Sequence, residues 1–179
     1  MQELKAETKL IAFHGKKEIK EKYLKRVIAH RKADEIVKGI YWKNGKGCAV
    51  GCTMELSKDV HKQMETELGI PEELCRTEDW LFESLENGEA KNFPEYFLKT
   101  INVGADLSKV ARLFNVAILE DVKQFVEVPK YKQVIEAIDG VIKLNHEIIQ
   151  GHELDETAWS APWSAARSAA ESAAWSAPW

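Results

Sequence analysis

Cys48 and Cys52 stand four residues apart in the stretch Gly45-Lys46-Gly47-Cys48-Ala49-Val50-Gly51-Cys52-Thr53, and His14, His30 and His61 lie on either side of it. If the stretch is helical from Gly47, the two cysteines share one face, and so do Gly47 and Gly51. Three readings fit these residue types. In the first, a glycine-rich loop delivers Cys48 to a helix N-terminus, where exposed amides lower a thiol pKa and make a nucleophile. His14, His30 or His61 would be its base, and the amides around Gly47 and Ala49 its oxyanion donors. In the second, Cys48 and Cys52, spaced Cys-x3-Cys, hold zinc with two of His14, His30, His61 and Cys75, a ligand set scattered too widely to define a site. In the third, cysteine is a small hydrophobe and glycine permits close approach, so the stretch is a tight crossing point in the core. We favour the third, because no cysteine-protease signature is matched, and we assign neither metal nor cofactor.

Other chemistry-bearing residues point to ordinary roles. Glu65, Glu67, Glu72, Glu73, Glu78 and Asp79 resemble a paired-carboxylate site less than a solvated helix face. His146 and His152 fall at or beyond a helix end, where they favour the local dipole. Trp42 and Trp80 are read as core or groove-wall residues rather than platforms for stacked bases. No P-loop, dinucleotide fingerprint or metalloprotease helix is present.

The net charge of -4 hides an asymmetry: residues 1–46 carry thirteen Lys or Arg against six Asp or Glu, and the remainder twelve against twenty-three. A basic N-terminal segment could bind nucleic acid. The reading we favour has it packed beside the acidic stretch from Glu65 to Glu95, because a nucleic-acid module is usually basic overall. A chain of 179 residues is long enough for one domain with its own core plus an appendage. No apolar run reaches membrane-spanning length, and Met1-Gln2-Glu3-Leu4-Lys5 lacks the apolar core of a signal peptide, so the chain is read as cytoplasmic, its three cysteines as thiols.

Helical spacing accounts for nearly every segment. Ile19, Tyr23, Leu24, Val27 and Ile28 predict a helix over 17–32, and Asp34 is positioned to cap a further turn holding Ile36 and Val37. Val60, Met64 and Leu68 predict a helix over 58–68 stopped by Gly69, and Pro71 opens another through Leu74, Leu81 and Leu85 that Asn87-Gly88 ends. Pro94 opens a helix with Phe97 and Ile101. Asp106 caps residues 107–127, whose stripe of Leu107, Val110, Phe114, Ala117, Ile118 and Phe125 predicts the central core helix. After Pro129 a last helix carries Val134, Ile138, Ile142 and Ile149 to Gly151. The fold class is all-α, about seven helices, with Ile40-Tyr41-Trp42 and Ala49-Val50 as candidate short extended pieces. The helical globular domain spans 1–151 and a repeat tail helix 152–179.

That tail repeats every four residues from Ala158, with Trp159, Trp163, Trp175 and Trp179 among Ser and Ala. On a helix a four-residue repeat drifts about 40° each time, so these tryptophans cannot share one straight face. From Ala158 on the tail has no branched aliphatic residue and an isolated helix of its length is marginal in water, so it needs protein to lie against. Ser160 is read as its N-cap, with Pro162 in the first turn. Arg167 and Glu171 within the segment argue against a membrane.

Phe13-His14-Gly15, Tyr23-Leu24, Ala29-His30-Arg31 and Lys46-Gly47-Cys48-Ala49-Val50-Gly51-Cys52-Thr53, followed by a short-period Ala-rich tail, resemble a group of bacterial and phage-encoded proteins. In that group the repeat often carries Tyr, Asp or Arg where this chain has Trp. The group has no established activity, so the resemblance implies a bacterial or phage setting and no catalytic residue. The function expected is therefore a non-enzymatic helical protein that binds a protein partner or its own copies through the tail, with a thiol-dependent enzyme using Cys48 or Cys52 as the alternative.

Overall fold

The computed structural model describes residues 9–125, 132–155, 157–160, 162, 164 and 165. It is all-α, with a short 3-10 turn at Ala12–Gly15 followed by α1 Lys17–Lys32, α2 Ala49–Met54, α3 Val60–Leu68, α4 Glu72–Ser84, α5 Asn87–Ala90, α6 Phe93–Thr100, α7 Val110–Lys123 and α8 Lys132–Ile149. Among the described residues the only β pairing is three isolated bridges. The chain divides into two compact units, Met1–Ser108 and Lys109–Trp179.

In the first unit α1, α2, α3, α4 and α6 enclose a core of Phe13, Tyr23, Val27, Val50, Met64, Leu68, Ile70, Phe82 and Leu98, each no more than 2% exposed. Large apolar side chains buried this fully contribute about 1.5–3 kcal/mol apiece. Val60, Met64 and Leu68 line the inner face of α3 at the expected spacing, and Gly69 ends it with φ +63°. Pro71 precedes α4, where Glu72 and Glu73 sit in the dipole-favoured first turn. The inward face of α4 is Cys75, Glu78 and Phe82, while Leu74, Leu81 and Leu85 are half-buried. Trp80, expected in the core or a groove wall, is 67% exposed.

The basic helix α1 spends much of its charge internally. Arg31 donates to Glu95 at 2.8 Å and Lys20 to the carbonyls of Lys99 and Ile101. Arg26 reaches the Thr53 carbonyl at 2.8 Å and Glu55 at 3.4 Å, and the Tyr23 hydroxyl donates to Glu67. Glu95 also accepts from Lys99, and these two cations hold its carboxyl below the usual glutamate value.

Local backbone chemistry overrides the helical pattern in several places. Asp34 turns left-handed with φ 57°, and the chain after it pairs with Gly47 instead of coiling: Gly47 N donates to Glu35 O at 3.1 Å and Val37 N to Gly47 O at 2.8 Å. Ile36 and Val37 therefore form no helical turn. Lys43 and Lys46 exchange both backbone hydrogen bonds around Asn44 and Gly45, both at positive φ, which makes a two-residue hairpin turn. Ala49-Val50 is not extended; it opens α2. Asn87 and Gly88 begin α5 rather than ending a helix. Asp106 Oδ1 accepts from the N–H and hydroxyl of Ser108, a local turn that leaves α7 to start after Lys109.

Phe13 and His14 both carry positive φ, 53° and 51°. Left-handed backbone costs about 1–2 kcal/mol per residue. Complete burial of the Phe13 ring offsets a term of that size, and the carbonyl of Ala105 accepts from Ala12 N at 2.8 Å to hold the turn in place.

In the second unit, Lys109 reaches the Ile149 carbonyl and Lys123 the Asp139 carboxylate, so α7 and α8 run antiparallel. Helix α7 is not a central core helix: Ala111 is its only buried residue, because a single neighbour cannot cover so wide an apolar stripe. Asp155, rather than Ser160, caps the short turn at 157–160, accepting from Ala158 N at 3.0 Å. Trp159 is half-buried, with the Arg112 guanidinium 6.0 Å from its ring centre, and Pro162 lies beside Gly140. Trp163, Trp175 and Trp179 lie outside the described residues.

Candidate functional site

The cysteine stretch is placed by its glycines. A Cβ on Gly47 or Gly51 would run into the Tyr41 carbonyl, so the loop Gly39–Trp42 lies directly on the start of α2. Cys48 N donates to Ile40 O at 2.7 Å, tying the same two segments together. Cys48 is the N-cap residue of α2 and Cys52 lies one turn on. Both are buried, and Cys52 Sγ donates to the carbonyl of Gly47 at 3.1 Å.

Cys48 lines a notch of about 320 Å³ together with Gly39, Ile40, Tyr41, Asp79 and Glu83. Its sulfur and one oxygen each of Asp79 and Glu83 lie within 4.8 Å of one another. Asp79 and Glu83 project from one face of α4, four residues apart. Both carboxylates are held from outside. Glu83 accepts from Gly39 N–H at 2.9 and 3.2 Å, and Asp79 Oδ2 sits 3.1 Å from His61 Nε2. The rings of Tyr41 and His61 meet edge to face, 5.7 Å between centres. Burial, reinforced by Asp79, raises the Tyr41 hydroxyl above its usual range.

His30 belongs to a different cluster. Its Nδ1 lies 2.6 Å from Glu35 and its Nε2 3.2 Å from Glu55, with Trp42 edge-on at 5.1 Å. Both ring nitrogens are engaged, so neither is open to take a proton from a thiol. Cys52 meets this cluster only through the Glu35 backbone carbonyl at 3.7 Å. His14 is remote from both, its Nε2 3.1 Å from the Thr66 carbonyl.

Burial sets the state of the sulfurs. Desolvation raises all three thiols; for Cys52 the value is pushed up to about 12, and nearby Asp79 and Glu83 raise Cys48 further. A nucleophilic cysteine needs the opposite, a depressed pKa and an adjacent base. Among the described residues no three members of the zinc set read from sequence bring their ligand atoms together, and His61 lies against Asp79.

Sequence reasoning missed Asp79 and Glu83 as partners of Cys48, and took Glu78 and Asp79 for part of a solvated face. Glu78 is 1% exposed and Asp79 is mostly covered. One signal was available: two acidic residues at i and i+4 repel each other on a helix surface, so their retention on one face asks for a reason. Comparison with protein-family models, with curated proteins and with solved structures gives no match.

Proposed function

We propose that the chain is a non-enzymatic helical binding protein, of the bacterial or phage setting its cysteine segment resembles, that self-associates through its second unit. One observation carries the reading. Ile118 and Val122 stand one turn apart on α7 and Phe125 follows just past its end, and they are 42%, 44% and 80% exposed. Ile118 also borders the cleft that Arg112, Asn115 and Leu119 form with Val141, Asn145 and Trp159, whereas Val122 and Phe125 are not among the residues that line it. An apolar face of this kind on a folded unit marks a place where another apolar surface binds. The tail with Trp159, Trp163, Trp175 and Trp179 extends the same demand for cover. The buried thiols disfavour the alternative of a thiol-dependent enzyme.

Light scattering on the full chain, on an I118S/F125S variant and on a chain lacking residues 156–179 tests the reading. The expected result is a wild-type oligomer that falls to monomer mass in the double variant while helix content stays unchanged. A wild-type chain that is monomeric at every concentration, and no less stable without its tail, overturns it.

A further inference from the structure

We propose that the notch between α4 and the start of α2 is a metal site that takes a divalent cation of borderline softness, zinc foremost, on Cys48 Sγ and one oxygen each of Asp79 and Glu83. The donors already converge within 4.8 Å in a cavity large enough for an ion and a bound water. The donor set selects the ion: a thiolate is a poor ligand for calcium or magnesium, whereas sulfur mixed with nitrogen or oxygen in four-fold coordination suits zinc. A water completes the four.

Two further features point the same way. The carboxylates are oriented from behind, Glu83 by the Gly39 amide and Asp79 by His61, the arrangement in which outer hydrogen bonds aim metal ligands. Their charge is also poorly balanced by protein. Among the ion pairs of the described residues Asp79 has His61 alone and Glu83 has none, so two acidic groups one turn apart stand beside a buried sulfur with no direct Lys or Arg partner. A cation supplies that balance. On binding, the sulfur–hydrogen bond of Cys48 breaks, its proton leaves to solvent, and the sulfur electron pair forms the bond to the metal. The protein would carry this ion as a structural clamp joining α2, α4 and the Gly39–Trp42 loop, since nothing in the notch is poised to attack a substrate.

Cobalt(II), which gives a thiolate-to-metal absorption that zinc lacks, is the probe. The full chain is stripped with chelator and titrated with cobalt, then with zinc. The expected result is one equivalent of cobalt bound with that absorption, its loss when zinc is added, and a rise in melting temperature with either metal. C52A retains the absorption and C48S loses it. E83Q, altered at an exposed side chain, binds about tenfold or more weakly while its metal-free melting temperature stays near wild type. Absence of the absorption in excess cobalt overturns the proposal. So does a band that survives in C48S or an E83Q affinity equal to wild type, either of which places the metal elsewhere.

Discussion

A side chain on Gly51 has nowhere to go except into the backbone carbonyl of Tyr41, so the fit between α2 and the loop before it depends on a missing methyl group. The contact is with backbone rather than a flexible side chain, and it cannot be relieved by a rotamer change. It also sets where Cys48 lies, because its N–H donates to the Ile40 carbonyl of that loop and its side chain lines a notch with Gly39, Ile40 and Tyr41.

Gly51→Ala should therefore destabilise the first unit by about 3 kcal/mol or more, at the upper end for an added methyl group in a packed interior. Gly88→Ala is the contrast. That position lies in α5 with open space around it, and alanine is the better helix former there, so a change within about 1 kcal/mol on the stabilising side is expected. Urea denaturation midpoints of the two variants decide the matter, and equal midpoints would mean the close approach does not exist.

Glu78 is wholly enclosed in the first unit, and neither carboxylate oxygen has a hydrogen-bond partner among the described residues. Desolvation pushes its carboxyl well above the ordinary glutamate value of 4.5, with Asp79 adding to the effect. The folded chain thus keeps a proton that the unfolded chain releases above pH 4.5, and stability falls as pH rises from there to the raised value. Glu78→Gln removes that dependence. Its advantage over wild type should be absent at low pH and should grow by about 1.4 kcal/mol per pH unit through this window. Chemical denaturation of both proteins across a pH series measures it, and parallel profiles would show that Glu78 is not buried in the neutral form.

The fold was legible wherever the signal was local. Val60, Met64, Leu68 and Gly69 specify α3 by spacing and stop, and Pro71 and Pro94 mark where α4 and α6 begin. The sequence misled where a distant backbone supplied the hydrogen bonds. Asp34, Ile36 and Val37 have the composition of a capped turn, yet Gly47 claims their backbone from ten residues away. Periodicity also cannot say which of two apolar stripes faces inward. On α4 the inner positions went to Cys75, Glu78 and Phe82, while on α7 the stripe stayed largely in solvent. The glycines of the cysteine stretch announced a close approach, but its other side, Tyr41, belongs to a loop with no pattern of its own. Asp79 and Glu83 joined Cys48 through the packing of α4 on α2, a relation that no spacing within either helix encodes.

The sulfurs give the sharpest discrimination between a binding protein and a thiol enzyme. Cys52 is raised by burial from 9.0 to about 12, so at pH 8 its thiolate fraction is about a thousandfold below that of an unfolded cysteine. Cys48 and Cys75 are raised as well, with burial the first cause in each. Because the thiolate is the reacting species, iodoacetamide should leave the folded, metal-free chain unmodified at pH 7–8 on a timescale that labels all three cysteines in denaturant. The folded rate should climb about tenfold per pH unit well past pH 9, where unfolded thiols have already levelled off. Rapid modification of Cys48 or Cys52 in the folded chain near neutral pH would mean that some group in the protein stabilises a thiolate, and the thiol-enzyme reading would then displace the one proposed here.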